Sequence, residues 1–262
     1  MDALQKRIKR SLHFFILAVM LMVWALPMQA QTIKTSRILM DTVVFAGYAM
    51  PAVQRIMDTY SPELHRQMGK VVGYTVSEMR SYSPESPLSN LAADALLAVA
   101  RTRYGKDGVD FSLTNFGGIR TSLPKGDVRL YDIYAVFPFE NTLVLISMKG
   151  SQVRELFNAF ARTRVEVLGG VSLKIKNRSV TELLINGKPL DDKKIYRIAT
   201  IDFLLSGGDK VSALKDNLRV NFSGITVRDV ILRYIEVFTR NGEPIPAKTD
   251  GRVTVDKASG DH

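Results

Sequence analysis

The sequence predicts an α/β (α+β) fold, a single layered domain with a mixed sheet. Short runs rich in β-branched residues alternate with longer runs of helical periodicity, an order typical of a sheet covered by helices. The pair Asn186-Gly187 separates two of the short runs and predicts a hairpin. Since hairpins join antiparallel strands and helical crossovers join parallel ones, we expect both kinds of strand pair in one sheet.

Residues 1–30 are predicted to be a secretory signal peptide. A basic start is followed by an apolar run of 13 residues, 14–26, and then by Ala30, a small residue that suits cleavage. This run is shorter than the roughly 20 residues that span a bilayer. Cleavage would give a periplasmic or otherwise exported protein without stable membrane insertion. An uncleaved membrane anchor is the alternative.

The composition is that of a globular protein with a real core, because 46% of the residues are apolar and 24% are charged. Removal of residues 1–30 takes away four basic residues and one acid, which lowers the net charge from +10 to +7. A basic exported protein attracts phosphate-bearing molecules at long range. No basic helix face with interleaved aromatics is present, so nucleic-acid binding is not predicted. The absence of cysteine excludes disulfides and thiolate metal sites.

The rest of the chain is divided into a lead-in with a linker-like helix (31–63), a domain (64–256) and a tail (257–262). Helices are predicted where apolar residues recur every three or four positions, and strands where β-branched residues cluster. Ser89 is expected to cap the helix that begins at Asn90, and Asp94 to brace the start of that helix. The predicted helices are 51–67, 90–104, 150–162 and 225–238, and the predicted strands are 70–76, 109–113, 142–148, 171–175, 196–201 and 252–255.

The clearest candidate for a binding site directly follows the strand at 109–113. Glycines at 117 and 118 let the backbone turn sharply and approach a ligand closely, because no Cβ is in the way. The amide of Asn115 suits the edge of a base, and the guanidinium of Arg120 suits a phosphate or a carboxylate. Taken in isolation, these residues also fit an ordinary turn with an arginine salt bridge.

Five motifs occur in one order along the chain: Asn90-Leu-Ala-Ala-Asp-Ala95, Asn115-Phe-Gly-Gly-Ile-Arg120, Phe137-Pro-Phe-Glu-Asn141, Gly169-Gly170 and Phe203-Leu-Leu-Ser-Gly-Gly-Asp209. Together they resemble the C-terminal domain of the 5′-nucleotidase family, which includes periplasmic UDP-sugar hydrolases and ecto-5′-nucleotidases. Each motif is weak, but the ordered set is specific. The resemblance covers about residues 64–255.

The resemblance implies an aromatic pair that holds a base. In the family this domain places the base between two phenylalanines, which Phe139 and Phe203 match. Stacking on an aromatic ring tolerates different bases. Pro138 fixes the chain between Phe137 and Phe139, so that one of the two can point out of the core. Ordinary core packing is the alternative for both members of the aromatic pair.

The resemblance also implies polar contacts to the nucleoside. Asn115 would contact the base, and Gly118 would let the backbone approach it. Asp209 would accept hydrogen bonds from the ribose hydroxyls, while Arg120 would reach the ribose or the phosphate. A further family arginine lies upstream of the Asn-Leu helix, and Arg80 is the candidate for it.

The chain departs from the family in the residues that carry the chemistry. Family enzymes place a two-metal phosphoesterase domain before this one, and such a site needs several histidines and carboxylates. This sequence has three histidines: His13, His65 and His262. His65 is interpreted as a surface helix residue. No catalytic residue, metal ligand or cofactor is therefore predicted here, and a divalent metal is expected only in a partner metallophosphatase.

Two functions fit these observations best. In the first, the chain is the nucleotide- or nucleoside-binding half of a split 5′-nucleotidase-type hydrolase, inactive without a separately encoded metallophosphatase, in nucleotide catabolism. In the second, it is a stand-alone periplasmic nucleotide- or nucleoside-binding module without catalysis. A relict domain with a structural role is a third alternative. A split enzyme should also have an apolar docking surface. The helix at 51–67 is where the family's linker to the metal domain would enter, although Met50, Val53, Met57 and Met68 fit core packing equally well.

Overall fold

A computed structural model describes residues 51–246 and 248–256. The predicted signal peptide, residues 31–50 of the lead-in and the tail lie outside these residues. The chain divides into two units, residues 1–55 and 56–262, and the fold below is that of the second. The helices are α1 (Pro51–Met68), α2 (Pro87–Tyr104), α3 (Leu130–Val136), α4 (Gly150–Arg162), α5 (Asp202–Leu205) and α6 (Val227–Arg240). The strands are β1 (Val71–Thr75), β2 (Phe111–Thr114), β3 (Gly126–Arg129), β4 (Thr142–Lys149), β5 (Val167–Gly169), β6 (Val171–Lys176), β7 (Ser179–Ile185), β8 (Lys188–Pro189), β9 (Ile195–Ile201), β10 (Arg219–Thr226) and β11 (Val253–Asp256).

A five-stranded mixed sheet forms the centre of the fold, which confirms the predicted fold class. Its strand order is β10-β4-β9-β2-β5. Strands β9 and β2 are parallel, while the other neighbours are antiparallel. Strands β11, β6, β7 and β8 form a second sheet, and β1 pairs with β3 in a third. Because β2 and β9 are parallel, they end at the same edge of the sheet, where two of the sequence motifs begin.

The core lies where helices cover the central sheet. All four residues of β2 are buried, as expected for a strand covered on both faces. Helix α4 turns one apolar face inward, and the ring of Phe157 lies 5.9 Å from the ring centres of both Phe111 and Phe160. Helix α2 packs against β2 and β5, and α6 packs against α2 and β1.

Helix α2 begins earlier than predicted, and Ser89 is not its cap. Ser86 is the N-cap: its Oγ accepts a hydrogen bond from the Ser89 amide at 3.2 Å, while the Ser89 Oγ accepts one from the Ser86 amide at 2.9 Å. Pro87 occupies the first helical position, where a missing N–H costs nothing. This reciprocal arrangement is a capping box with serine in both roles.

Helix α6 begins two residues later than predicted. Ile225 and Thr226 belong to β10, and the Thr226 side chain accepts a hydrogen bond from the Asp229 amide at 3.1 Å as the helix cap. The hairpin prediction is confirmed, because Asn186 and Gly187 have φ values of 50° and 74°, both in the left-handed region that this turn requires.

Asp94 does not brace the start of its own helix, which corrects the prediction for it. Its two carboxylate oxygens accept hydrogen bonds from Arg252 at 2.6 and 3.0 Å. Nearby, the buried Glu85 accepts hydrogen bonds from the backbone amides of Asp250, Gly251 and Val253. These contacts tie the last strand to helix α2. Burial alone would lower the pKa of Arg252, but the hydrogen bonds to Asp250 and Asp94 outweigh it and raise that pKa above its usual range.

Within the part of the chain that the structure describes, no helix combines the length and the apolar character needed to cross a bilayer.

Candidate functional site

The site is built at the end of β2. The extended backbone of Asn115 leads out of this strand into a short turn, Phe116–Gly118. Asn115 is 3% exposed, although it is polar. Its Nδ2 donates a hydrogen bond to Oδ2 of Asp209 at 2.6 Å. An ionised carboxylate can only accept, so this contact fixes which end of the amide faces Asp209.

The two glycines of the turn allow close approach. A Cβ on Gly117 would lie 2.8 Å from Oδ2 of Asp209, and a Cβ on Gly118 would lie 2.8 Å from Oδ1 of Asn115. A side chain at either position would therefore force Asp209 or Asn115 to shift. Among the described residues, Oδ1 of Asn115 is a buried acceptor without a hydrogen-bond partner. Such an atom is costly unless something binds it.

Asp209 is held in an uncommon backbone conformation. Its φ is 49°, and that of Lys210 is 64°, so two consecutive non-glycine residues occupy the left-handed region. This region is unfavourable for residues with a Cβ, and outliers of this kind cluster at binding sites where the surroundings enforce them. The turn follows β9 by way of α5, which brings Asp209 to the same sheet edge as Asn115.

Phe139 points out of the protein, whereas its neighbour in the motif points in. Phe139 is 46% exposed and Phe137 is 4% exposed. The prediction that Pro138 allows one phenylalanine to leave the core is therefore confirmed. The guanidinium of Arg120 lies 5.8 Å from the centre of the Phe139 ring, and it also reaches the Gly117 carbonyl at 3.5 Å. Arg120 thus lies beside the aromatic ring at the exposed rim of the turn.

Phe203 is also exposed, at 41%, so neither member of the aromatic pair belongs to the core. Its position is linked to the chain that follows Phe139. The Asp202 carboxylate accepts hydrogen bonds from the Thr142 amide and hydroxyl, at 3.0 and 2.6 Å, and from the Phe203 amide at 2.8 Å. One carboxylate therefore joins the two segments that carry the aromatic pair.

Glu166 lies beside the turn that follows Asn115, and none of the sequence motifs includes it. Its buried carboxylate accepts hydrogen bonds from the Phe116 amide at 2.9 Å and from Arg164 at 2.7 Å. Burial raises the pKa of Glu166, against the hydrogen bonds from Arg164 and Phe116, and the nearby charge of Asp209 adds to the rise. Glu166 directly precedes β5, which pairs with β2 only in the folded sheet, so no local sequence pattern indicates this contact.

Two cavities adjoin these residues. One, of about 20 Å³, is lined by Asn115, Gly118 and Phe139. The other, of about 580 Å³, lies against Asp209, Glu166 and one face of α4. The site thus offers exposed aromatic faces, an amide, a carboxylate and a guanidinium. These groups suit a flat ring that carries a hydroxylated, negatively charged substituent.

The structure brings together most, but not all, of the predicted binding residues. Asn115 contacts Asp209, and Arg120 lies beside Phe139, while Arg80 makes no described contact with these residues. Arg80 is exposed and pairs with Glu78 at 2.9 Å, and none of its described contacts reaches the residues above.

The described residues do not form a metal site. Among them, no group of three or more His, Cys, Asp or Glu side chains is placed to hold an ion. The residues present therefore do not fit the two-metal centre that the family enzymes carry in their other domain. His65, predicted at the surface of a helix, is exposed on α1.

The comparisons with known proteins point to one family. The profile of the 5′-nucleotidase C-terminal domain matches residues 67–216. "Protein UshA" of Yersinia enterocolitica is 29% identical over 194 residues, which cover 71% of this chain and 34% of that protein. The "5'-nucleotidase" of Vibrio parahaemolyticus is 30% identical over 146 residues, which cover 54% of this chain and 26% of that protein. The chain therefore spans about a third or less of the length of the curated relatives it matches.

Solved structures share the fold. A 5′-nucleotidase precursor from Thermus thermophilus superimposes with a TM-score of 0.65 at 24% identity, over 78% of this chain and 43% of that one. The NAD nucleotidase of Haemophilus influenzae gives a TM-score of 0.61 at 17% identity, over 80% of this chain and 42% of that one. Because the profile match covers more than half of the sequence, the chain belongs to the 5′-nucleotidase C-terminal domain family.

Proposed function

We propose that this chain is the nucleotide- or nucleoside-binding C-terminal domain of a 5′-nucleotidase-type hydrolase. The observation that carries the proposal is the pair of exposed rings, Phe139 and Phe203, on segments joined through Asp202. Large aromatic side chains exposed in this way lose the benefit of burial unless a ligand covers them. A base stacked on such rings is stabilised by about 1–3 kcal/mol per ring contact.

The polar residues fit the remainder of a nucleoside. Asn115 would read the base, with Gly118 leaving room for the backbone to approach. Asp209 would accept hydrogen bonds from the ribose hydroxyls, because one of its oxygens is bound to Asn115 and the other has no described partner. Arg120, exposed beside Phe139, would reach the ribose or the phosphate. Arg80 would contribute a further contact only if its guanidinium exchanged Glu78 for the ligand.

The hydrolytic step is assigned to a separately encoded metallophosphatase, acting with this chain in nucleotide catabolism. A split enzyme needs an apolar surface on which its halves meet. Helix α1 offers one, because Ile56, Tyr60 and Leu64 recur every four residues on one face and are each more than half exposed. A stand-alone binding module would not need this stripe, so the split enzyme is the preferred function.

The chain by itself is expected to release no phosphate from AMP or UDP-glucose, with or without Mg²⁺ or Mn²⁺. A colorimetric phosphate assay on a clean preparation measures this, with a co-expressed metallophosphatase as the activating partner. Hydrolysis that requires both chains would support the split enzyme. Metal-dependent release by this chain would refute it, and nucleoside binding without activation by any partner would favour the stand-alone module.

Export is part of the same proposal, because residues 1–30 have the layout of a signal peptide. Intact-mass measurement of the protein recovered from the periplasm is expected to show cleavage after Ala30. A mass that retains Met1 would instead support the uncleaved anchor.

A further inference from the structure

Arg228 contacts the backbone that carries the exposed ring of Phe139. Its Nη1 lies within hydrogen-bonding distance of three consecutive carbonyls: Phe137 at 3.4 Å, Pro138 at 2.8 Å and Phe139 at 3.3 Å. Proline at position 138 has no N–H and therefore donates no backbone hydrogen bond to this turn. The guanidinium supplies the donors that hold the turn in place.

Arg228 is itself held firmly. Its side chain is 11% exposed, and its guanidinium lies 4.6 Å from the centre of the Tyr134 ring, a cation–π distance. It is the second residue of α6, whose first amide, that of Val227, donates to the Asn141 carbonyl at 2.8 Å. The contact with Glu140 is long, at 3.4 Å, and that carboxylate is 86% exposed, so it adds little.

These contacts indicate that Arg228 supports the turn and does not bind a ligand directly. Nη1 is directed to backbone carbonyls, and one face of the guanidinium is covered by Tyr134. Lysine cannot reproduce this arrangement, because its compact ammonium has neither the planar face nor the fork of donors. Arg228, on α6, therefore donates hydrogen bonds to the carbonyls of the turn and also packs against Tyr134 of α3. These contacts fix the position of the turn relative to both helices.

We propose that Arg228 is a positioning residue for nucleoside binding, which holds the Phe137–Phe139 turn so that Phe139 stays outside the core and ready to stack on a base. The inference rests on the proposed function, since it assigns Arg228 a role in that site. Arg228 does not touch the nucleoside. Its whole contribution to binding passes through Phe139.

A double-mutant cycle tests this, with adenosine titrated into the full chain and its Arg228→Ala, Phe139→Ala and doubly substituted variants. Arg228→Ala is expected to weaken binding about 10-fold, which is part of the stacking contribution of one ring. In the Phe139→Ala background the same change should cost less than about twofold, because residues that act through one another are not additive. Equal losses in both backgrounds, or no loss in the first, would overturn the proposal.

Two further variants separate positioning from general stability. Arg240 lies on the same helix and pairs with Glu236 at the surface, so Arg240→Ala should leave adenosine binding unchanged. Arg228→Lys keeps the charge and, if Arg228→Ala does not fold, takes its place in the cycle. It should recover less than half of the lost affinity, since the stack on Tyr134 is lost.

The ¹⁹F NMR signal of Phe139, recorded without ligand, tests the positioning role independently of nucleoside binding. With 4-fluorophenylalanine incorporated, the ¹⁹F signal of Phe139 can be assigned by its loss in Phe139→Ala. We expect one sharp signal in the wild-type chain and a broadened or doubled signal in Arg228→Ala. A chain that does not bind adenosine but shows this change would refute the proposed function and still support positioning. An unchanged signal would overturn the positioning role.

Discussion

Replacing Asp209 with alanine is expected to weaken ribonucleoside binding by about 1.5–3 kcal/mol, or roughly 10- to 150-fold in Kd. The reason is that a charged acceptor loses the ribose hydroxyls as partners. The loss should be much smaller for 2′,3′-dideoxyadenosine, which has no such hydroxyls. Titration calorimetry with adenosine and with the dideoxy analogue measures both values on the same variant.

Asp209→Asn is the matched control for backbone strain and for the contact with Asn115. Asparagine adopts the left-handed conformation of this position more readily than alanine does. It also keeps an oxygen that can accept from the Nδ2 of Asn115, which Asp209 now does at 2.6 Å. If Asp209→Ala weakened both ligands equally, the effect would come from the turn, and the ribose role of Asp209 would be wrong.

Replacing either member of the aromatic pair is the second change with a large expected effect. Phe139→Ala and Phe203→Ala should each weaken adenosine binding by about 1–3 kcal/mol, because each removes one stacking face. Their melting temperatures should change little, since both rings are more than 40% exposed. Titration and thermal unfolding on the same preparations separate binding from stability.

Two other phenylalanines in the chain are matched controls. Phe222 is 66% exposed on β10, away from the sheet edge that carries the site, so Phe222→Ala should change neither property. Phe137 is buried, and Phe137→Ala should lower stability by about 3–5 kcal/mol through the cavity it leaves. If Phe139→Ala behaved like Phe137→Ala, core packing would be the correct interpretation of the aromatic pair.

The sequence predicted elements where a local pattern determines them. The strand that leads into Asn115 and the helix at 150–162 follow from periodicity, and the hairpin follows from Asn186-Gly187. The first residue of a helix is harder to predict where two sequence signals compete. Ile225 and Thr226 are β-branched and also continue the helical period, and the structure resolves this by making Thr226 the cap. At α2, the proline at position 87 was the overlooked signal, because it favours the first helical position.

The sequence motifs mark the candidate binding residues but not the residues that support them. The motifs mark Asn115, Phe139 and Asp209, whereas Asp202 and Arg228 act through contacts with residues far away in the sequence. Asp202 binds Thr142, 60 positions away, and Arg228 binds the Pro138 carbonyl, 90 positions away. Such contacts depend on how β4, β9 and α6 assemble, and a single sequence has no local signature of them.

We expect this chain to bind a nucleoside without help from another domain. Titration calorimetry of the purified chain with adenosine, in the absence of metal, measures this binding. The proposed site predicts saturable binding of one adenosine per chain, which is weakened in Phe139→Ala and unchanged in Phe222→Ala. No saturable heat at millimolar adenosine, or equal affinity in the wild-type chain and Phe139→Ala, would contradict it.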